Sequence, residues 1–166
     1  AEFNDNKISK IDITAATPTA IDVITGLNSP TRLALNGNDL YIAEVRANKI
    51  SKIDITAATP TATEVVAGVN GPFGLLLNGN DLYIAEFDGN KISKIDITPA
   101  TPTDVVTGVN APDGFALNGN DLYNSEYSGN KISKIDITAT NPTAIDVVTG
   151  LAGPGNLLLN GNDLYI

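Results

Sequence analysis

The chain contains no cysteine, histidine, methionine or tryptophan. Without Cys and His it has no thiolate or imidazole ligand for zinc, no Ser-His-Asp triad and no Cys-His pair. The lack of Cys assigns no compartment, because it suits a reducing cytosol and a bacterial exterior alike. No apolar run approaches the ~20 residues that span a bilayer, so we expect no membrane insertion. These absences exclude much of enzyme chemistry before any motif is considered.

Positive charge is also scarce. Ten Lys and Arg stand against 19 Asp and Glu, which gives a formal net charge of -9 over 166 residues. A surface of that sign repels phosphate backbones, so we expect no nucleic-acid partner. With 42% apolar residues the chain can still bury a sizeable core.

One repeated unit accounts for the whole chain. Asn-Lys-Ile-Ser-Lys-Ile-Asp-Ile-Thr begins at Asn6, Asn48, Asn90 and Asn130. Leu-Asn-Gly-Asn-Asp-Leu-Tyr begins at Leu35, Leu77, Leu117 and Leu159. The units are 1–42, 43–84, 85–124 and 125–166. A period of about 40 residues is expected of propeller blades and of some helical arrays.

Each unit is predicted to form four antiparallel strands. In one copy these are residues 73–77, 81–86, 91–98 and 104–109, with a Pro-rich surface connection at 99–103. Asn-Gly and Asp-Gly pairs favour tight reversals between the first three strands. The first strand is apolar at successive positions, which indicates an innermost strand buried on both faces. We expect helix nowhere, because the chain has nine Pro and fifteen Gly.

A single four-stranded meander cannot bury both of its faces, so it must stack between copies of itself. Radial stacking predicts an all-β propeller with four blades per chain. The unit boundary falls inside the second strand, so one blade is divided between the Ala1 end and the Ile166 end. Its two parts can belong to one molecule, which gives four blades, or to two molecules, which gives eight.

The stretch from Pro72 to Asp96 resembles the NHL-repeat consensus and the related gluconolactonase and strictosidine-synthase-like propellers. Pro-x-Gly-Leu-x-Leu, Asp-Leu-Tyr-Ile-Ala-Glu and Asn-Lys-Ile-x-Lys-Ile-Asp carry the resemblance, which covers the whole chain. Departures are Glu for the family's Asp after the second strand, and Arg32 and Asn156 for Gly. The resemblance implies blades suited to rings of six or more. We therefore favour an eight-bladed ring formed by a two-fold homodimer, with a closed four-bladed monomer as the alternative.

Sequence variation concentrates on one predicted face, where the connections into the first strands meet the second-to-third hairpins. Such variation on a constant scaffold predicts a rim that contacts a protein or a glycan, and drift at exposed loops is the alternative. The variable positions include Thr31, Arg32, Arg46, Phe73, Asp88, Asp113 and Asn156.

Two further sets of polar residues recur near the predicted rim. Glu44, Glu86 and Glu126 end the second strands, and they either cap backbone N–H groups or ring the channel mouth as oxygen ligands for Ca²⁺ or Mg²⁺. Capping is what the resemblance implies, so we expect no cofactor. Asn124 and Ser125 replace Ile and Ala, and we expect them to line a wet channel, to mark a pocket, or to be harmless beside channel water.

The leading hypothesis for function is a non-catalytic binding or scaffold propeller. Uniform repeats favour an excised or engineered piece of a larger repetitive protein, and a bacterial surface is the favoured location. The alternative is a metal-dependent lactonase-like hydrolase with a site at the channel mouth, in which Asp113 or Asp88 is the general base. A third hypothesis is a chain with no activity beyond assembly.

Overall fold

The computed structural model describes residues 1–98 and 101–166, which form sixteen β-strands. The strands are β1 (Ile8–Ile11), β2 (Ala20–Ile24), β3 (Pro30–Asn36), β4 (Asp39–Glu44), β5 (Lys49–Asp54), β6 (Thr63–Ala67), β7 (Pro72–Asn78), β8 (Asp81–Glu86), β9 (Lys91–Asp96), β10 (Thr103–Thr107), β11 (Pro112–Asn118), β12 (Asp121–Glu126), β13 (Lys131–Asp136), β14 (Ile145–Thr149), β15 (Leu158–Asn160) and β16 (Asp163–Tyr165). In this part of the chain the sole helical element is one 3₁₀ turn at Val45–Ala47. No helix there is long and apolar enough to cross a membrane.

Twelve of the strands form three four-stranded antiparallel sheets, each in chain order. We call β3–β6 the first blade, β7–β10 the second blade and β11–β14 the third blade. The prediction of an all-β fold built from four-stranded antiparallel blades is confirmed. Residues 99 and 100 of the predicted Pro-rich connection lie outside the described residues.

Two predicted strand ends are wrong by a few residues, for identifiable reasons. The third strand of the second blade ends at Asp96 and not at Thr98. The Asp96 carboxylate accepts hydrogen bonds from the Thr98 N–H at 2.9 Å and hydroxyl at 2.6 Å, which turns the chain out of the ladder. The fourth strand is Thr103–Thr107, because Gly108 adopts a left-handed φ of 78° that ends extended pairing.

The remaining four strands form two separate two-stranded sheets. β1 and β2 are the N-terminal half blade, which supplies a third and a fourth strand. β15 and β16 are the C-terminal half blade, which supplies a first and a second strand. No strand pairing joins these half blades within the described residues, so this chain on its own is an open arc.

Apolar residues pack between neighbouring blades. One cluster lies between the first and second blades and includes Tyr41, Ile50 and Ile84. Another lies between the second and third blades and includes Tyr83 and Ile92. Two smaller clusters attach the half blades to their neighbours. Tyr41 and Tyr83 are therefore blade-to-blade packing residues.

The innermost strands are less buried than their sequence predicts. Leu75, Leu76 and Leu77 are half-buried, whereas Phe115 and Ala116 of the equivalent strand are buried. The inner strands contact one another along the inner wall of the arc, β3 with β7 and β7 with β11. Burial on both faces depends on those contacts, so it is incomplete where the inner wall is open.

Candidate functional site

The connections into the first strands and the second-to-third hairpins form one rim, as predicted. The Val45 N–H donates to the Ser29 carbonyl at 3.3 Å, and the Phe87 N–H donates to the Gly71 carbonyl at 2.9 Å. The Tyr127 N–H donates to the Ala111 carbonyl at 3.0 Å. In each complete blade the connection therefore lies against the hairpin of the same blade.

An asparagine at the start of each third strand ties the rim of one blade to the next. Asn48 adopts a left-handed φ of 52°, and its side-chain oxygen accepts a hydrogen bond from the Gly71 N–H at 2.9 Å. Asn tolerates this backbone region better than most residues. The same bond recurs from Ser29 to Asn6, from Ala111 to Asn90 and from Gly153 to Asn130.

Three aromatic side chains form a row on this rim. The ring centroids of Phe73 and Phe87 are 5.2 Å apart, and those of Phe87 and Tyr127 are 5.8 Å apart. Tyr127 is 48% exposed. We call these three residues the aromatic row; it crosses from the second blade to the third. Farther along the rim, the Arg46 guanidinium lies 5.5 Å from the Phe3 ring centroid, within cation-π range.

An ion pair joins two blades that are not neighbours. Arg32 of the first blade donates from Nη2 to the Asp113 carboxylate of the third blade at 3.2 Å. Asp113 is buried, and burial raises the pKa of its carboxyl while Arg32 partly opposes that shift. Asp113, one of the predicted general bases, is thus held by a cation.

Replacing Asp113 by Asn is expected to stabilise the chain more at pH 7 than at pH 3. The raised pKa means that the folded state resists ionising this carboxyl, so the wild type loses stability as pH rises through that pKa. The Asn variant carries no such loss. Urea unfolding of both proteins at the two pH values measures the difference, and Asp88→Asn, an exposed carboxyl on the same rim, is the control. A difference of opposite sign would show that the ion pair with Arg32 outweighs burial.

The recurrent glutamates are buried hydrogen-bond acceptors. Glu86 accepts from the Asn70 N–H at 2.7 Å and from the Ser93 hydroxyl at 2.6 Å, and Lys91 Nζ lies 3.6 Å away. Glu44 and Glu126 accept from backbone N–H groups of their own blades in the same way, at 2.8 Å. All three are buried and already accept backbone hydrogen bonds, which favours capping; the alternative of a ring of Ca²⁺ or Mg²⁺ ligands stays a prediction.

Replacing Glu86 by Gln is expected to destabilise the chain by about 1.5–3 kcal/mol, the range for hydrogen bonds to a charged group. The amide has one acceptor where the carboxylate uses two, and it loses the attraction of Lys91. The shift of the urea midpoint measures this loss. Glu64→Gln, at an exposed position in β6, is the matched control and should leave the midpoint unchanged. Equal midpoints for the two variants would contradict the capping role.

Asn124 and Ser125 do not border channel water, so the two alternatives that place them in or beside a wet channel are wrong. Both are fully buried. The Ser125 hydroxyl accepts from the Gly114 N–H at 2.7 Å and donates to the Gly155 carbonyl at 2.6 Å, which links the third blade to the C-terminal connection. Among residues 1–98 and 101–166, the Asn124 amide finds no hydrogen-bond partner for either of its polar atoms.

The other predicted site residues occupy the rim separately. The Thr31 hydroxyl donates to the Phe73 carbonyl at 3.2 Å, so it serves packing between the first and second blades. Arg46, Asp88 and Asn156 are exposed. Phe87 and Tyr127 belong to the variable hairpins, but nothing in the sequence places them in a row with Phe73. One feature of the sequence could have identified them: both are aromatic residues at variable rim positions, where they are not part of the recurrent Tyr set.

Two grooves lie between the outer strands of neighbouring blades. One has a volume of about 600 Å³ and the other about 550 Å³. Each lies between the fourth strand of one blade and the third-to-fourth connection of the next, residues 104–108 with 140–144 and residues 22–27 with 58–62. Because equivalent segments form both, these grooves belong to the repeated scaffold. Within residues 1–98 and 101–166, no three acidic side chains converge as metal ligands.

Solved structures with the same architecture are β-propellers. The selenomethionine-substituted virginiamycin B lyase from Staphylococcus aureus superimposes with a TM-score of 0.74 at 24% identity, over 98% of this chain and 56% of that one. A chain of a nidogen/laminin complex superimposes with a TM-score of 0.75 at 15% identity, over 92% of this chain and 62% of that one. The computationally designed Ika4 protein does so with a TM-score of 0.63 at 17% identity, over 82% and 83%.

This chain spans just over half the length of the lyase chain. The similarities show a β-propeller fold, and they include both an enzyme and a protein seen in a complex. Comparison with family models and with curated protein sequences finds no match. Membership of the NHL-repeat or gluconolactonase families therefore stays a prediction.

Proposed function

We propose that this chain is a non-catalytic binding module whose rim contacts a protein partner through the aromatic row. The observation that carries the proposal is the continuity of Phe73, Phe87 and Tyr127 across two blades, with centroid separations of 5.2 and 5.8 Å. Aromatic residues are enriched at protein interfaces, where rigid rings bury a large area at low entropic cost.

Charge favours a partner with basic groups. The net charge of -9 draws cationic surfaces toward the chain and slows the approach of anionic ones. Exposed Asp88 lies in the same hairpin as Phe87 and offers a carboxylate next to the aromatic row. A peptide that combines apolar side chains with Lys or Arg would match both features.

The lactonase-like alternative needs several oxygen ligands and a free general base. Asp113 is engaged by Arg32 at 3.2 Å, and Glu44, Glu86 and Glu126 are occupied by backbone N–H groups. These contacts favour a structural use of the carboxylates, and they support binding over hydrolysis.

Selection from a displayed peptide library, alongside an array of immobilised glycans, tests the proposal. The wild type should enrich peptides that carry apolar and basic residues. Binding should fall at least tenfold in Phe73→Ser/Tyr127→Ser and persist in Ile145→Ser/Val147→Ser, which alters exposed apolar residues of β14 away from the rim.

Three outcomes would overturn the protein-partner proposal. One is peptide binding that ignores the rim variant, and another is rim-dependent binding of glycans alone. The third is hydrolysis of a lactone by the wild type that Asp113→Asn abolishes. The last outcome would establish the enzymatic alternative.

A further inference from the structure

Apolar side chains are exposed on the two half blades at positions that complete blades bury. Ile11 of β1 is 56% exposed, whereas its equivalent Ile53 is 1% exposed. Tyr165 of β16 is 54% exposed, whereas its equivalent Tyr41 is 2% exposed. An unpaired strand edge combined with exposed apolar residues is a ready surface for another β-strand.

The register of the complete blades shows how the two edges would pair. In the first blade the second and third strands place Leu40 opposite Ile53 and Tyr41 opposite Lys52. The second and third blades repeat this register. Applied to the half blades, it places Leu164 opposite Ile11, Tyr165 opposite Lys10 and Ile166 opposite Ser9.

Charge supports the same register. In every complete blade a third-strand lysine pairs with the aspartate that opens the second strand. These pairs are Lys52 with Asp39 at 2.7 Å, Lys94 with Asp81 at 2.7 Å and Lys134 with Asp121 at 2.8 Å. The fourth members are Lys10 and Asp163, and neither forms an ion pair in the described part of the chain. Each half blade thus carries one half of the pair.

The hydrogen bond between the recurrent glutamate and a backbone N–H also has its two groups on different half blades. Glu2 accepts a hydrogen bond from the Ser9 hydroxyl, as Glu44 does from Ser51. Glu44 also accepts from the Asn28 N–H at 2.8 Å. The residue equivalent to Asn28 for Glu2 is Ala152, which precedes the C-terminal half blade. Within the described residues the second oxygen of Glu2 has no backbone donor.

We propose that two copies of this chain associate through their half blades, with β16 of each copy pairing with β1 of the other. Each of the two pairings joins two half blades into a complete blade, and the two arcs close into one eight-bladed ring. A second copy is the occupant that supplies the matching register, the opposite charge and the missing N–H donor at both edges. The arc superimposes on about half of a larger propeller, so its curvature suits a ring of about twice its length.

The assembly also completes the rim. In the second blade, Phe73 at the start of the first strand lies against Phe87 of the hairpin, at 5.2 Å. In a blade joined from two half blades, the hairpin carries Phe3, and the first strand begins at Gly155-Asn156 of the other copy. A single chain therefore holds the two parts of this rim position in separate half blades, and the partner copy brings a complementary part beside each of them.

Solution mass by light scattering, over a dilution series, tests the proposal. The wild type should have twice the single-chain mass of 17.2 kDa. Ile11→Asp should weaken association at least tenfold and leave the far-UV circular dichroism unchanged, because this side chain is exposed in the single chain. Ile21→Asp is the matched control: Ile21 is 55% exposed and aligns with exposed Thr63, so its mass should match the wild type.

A charge exchange makes the test specific to the proposed register. Lys10→Asp and Asp163→Lys should each weaken self-association at least tenfold, because like charges meet at both joins. Mixing the two variants should restore the double mass, since every join then pairs Asp with Lys.

Three results would overturn the proposal. They are a single-chain mass for the wild type at every concentration, a mass larger than two chains, and no rescue on mixing. None of these measurements depends on a ligand, so they are independent of the rim-binding proposal.

Discussion

Replacing Gly74 by Ala is expected to destabilise the chain by about 3 kcal/mol, the upper part of the range for forcing extra volume into a packed region. A Cβ at Gly74 would lie 2.1 Å from the Asp113 carbonyl oxygen and 3.1 Å from the Ala85 Cβ. The first of these atoms is backbone on the neighbouring blade, so it cannot rotate away. The inner strands β7 and β11 must separate to accept the methyl group, and the packing between the second and third blades is lost with them.

Alanine substitutions at two other glycines serve as comparisons for Gly74→Ala. Gly114 meets the Gly155 carbonyl at 2.5 Å, so Gly114→Ala should cause a similar loss at the next blade junction. At Gly155 the nearest atom to an added Cβ is Asp113 Oδ2 at 3.8 Å, which is ordinary van der Waals contact, so Gly155→Ala should be nearly neutral. Urea unfolding at constant m-value gives all three differences. If Gly74→Ala and Gly155→Ala unfold at the same midpoint, backbone contact between inner strands does not limit the packing of these blades.

Replacing Asn124 by Val is expected to stabilise the chain by about 1–3 kcal/mol, the desolvation penalty of a buried polar group that lacks a partner. Both polar atoms of the Asn124 amide are buried, and neither has a hydrogen-bond partner in the described part of the chain. The equivalent residues of the first and second blades are Ile42 and Ile84, which are fully buried in apolar clusters. Phe115 lies opposite Asn124 in the ladder, where the other blades carry Leu. Val is β-branched and smaller than Ile, so it suits both the strand and the larger neighbour.

The reverse substitution supplies the control for Asn124. Ile84→Asn places an amide in the apolar cluster between the first and second blades and should destabilise the chain. Thermal unfolding of the three proteins should therefore rank Asn124→Val above the wild type and Ile84→Asn below it. A loss of stability in Asn124→Val would mean that the amide is satisfied by a buried water shared with Ser133 and Glu126, whose own side-chain oxygens include unpaired atoms.

The sequence was sufficient to predict what depends on neighbours along the chain. Asn-Gly and Asp-Gly turns, the β-branched third strand and the fixed period together specify the four-stranded blade, because each depends on local backbone preference. The capping role of the glutamates is what the family resemblance implies, and repetition alone leaves it open beside a ring of metal ligands. The strand limits at Asp96 and Thr107 differ because an Asp-x-Thr turn and a left-handed glycine end pairing early.

Side-chain contacts between different blades could not be predicted from the sequence. Arg32 and Asp113 are 81 residues apart and belong to blades that are not neighbours, so no local spacing relates them. The burial of Asn124 and Ser125 depends on how closely adjacent blades approach, and the small glycines set that distance. The aromatic row likewise arises from the angle between blades. The alternation of residues along a strand predicts which face of the sheet a side chain lies on. It does not predict which residues of the neighbouring blade contact that side chain.

The succession of apolar clusters gives the arc a gradient of local stability. In the described residues, each complete blade shares a cluster with the unit before it and another with the unit after it, whereas each half blade shares one. In a linear array of this kind, local opening is governed by nearest-neighbour interfaces. In a single chain the amide protons of the second blade should therefore exchange slowest, and protection should decline toward both flanks.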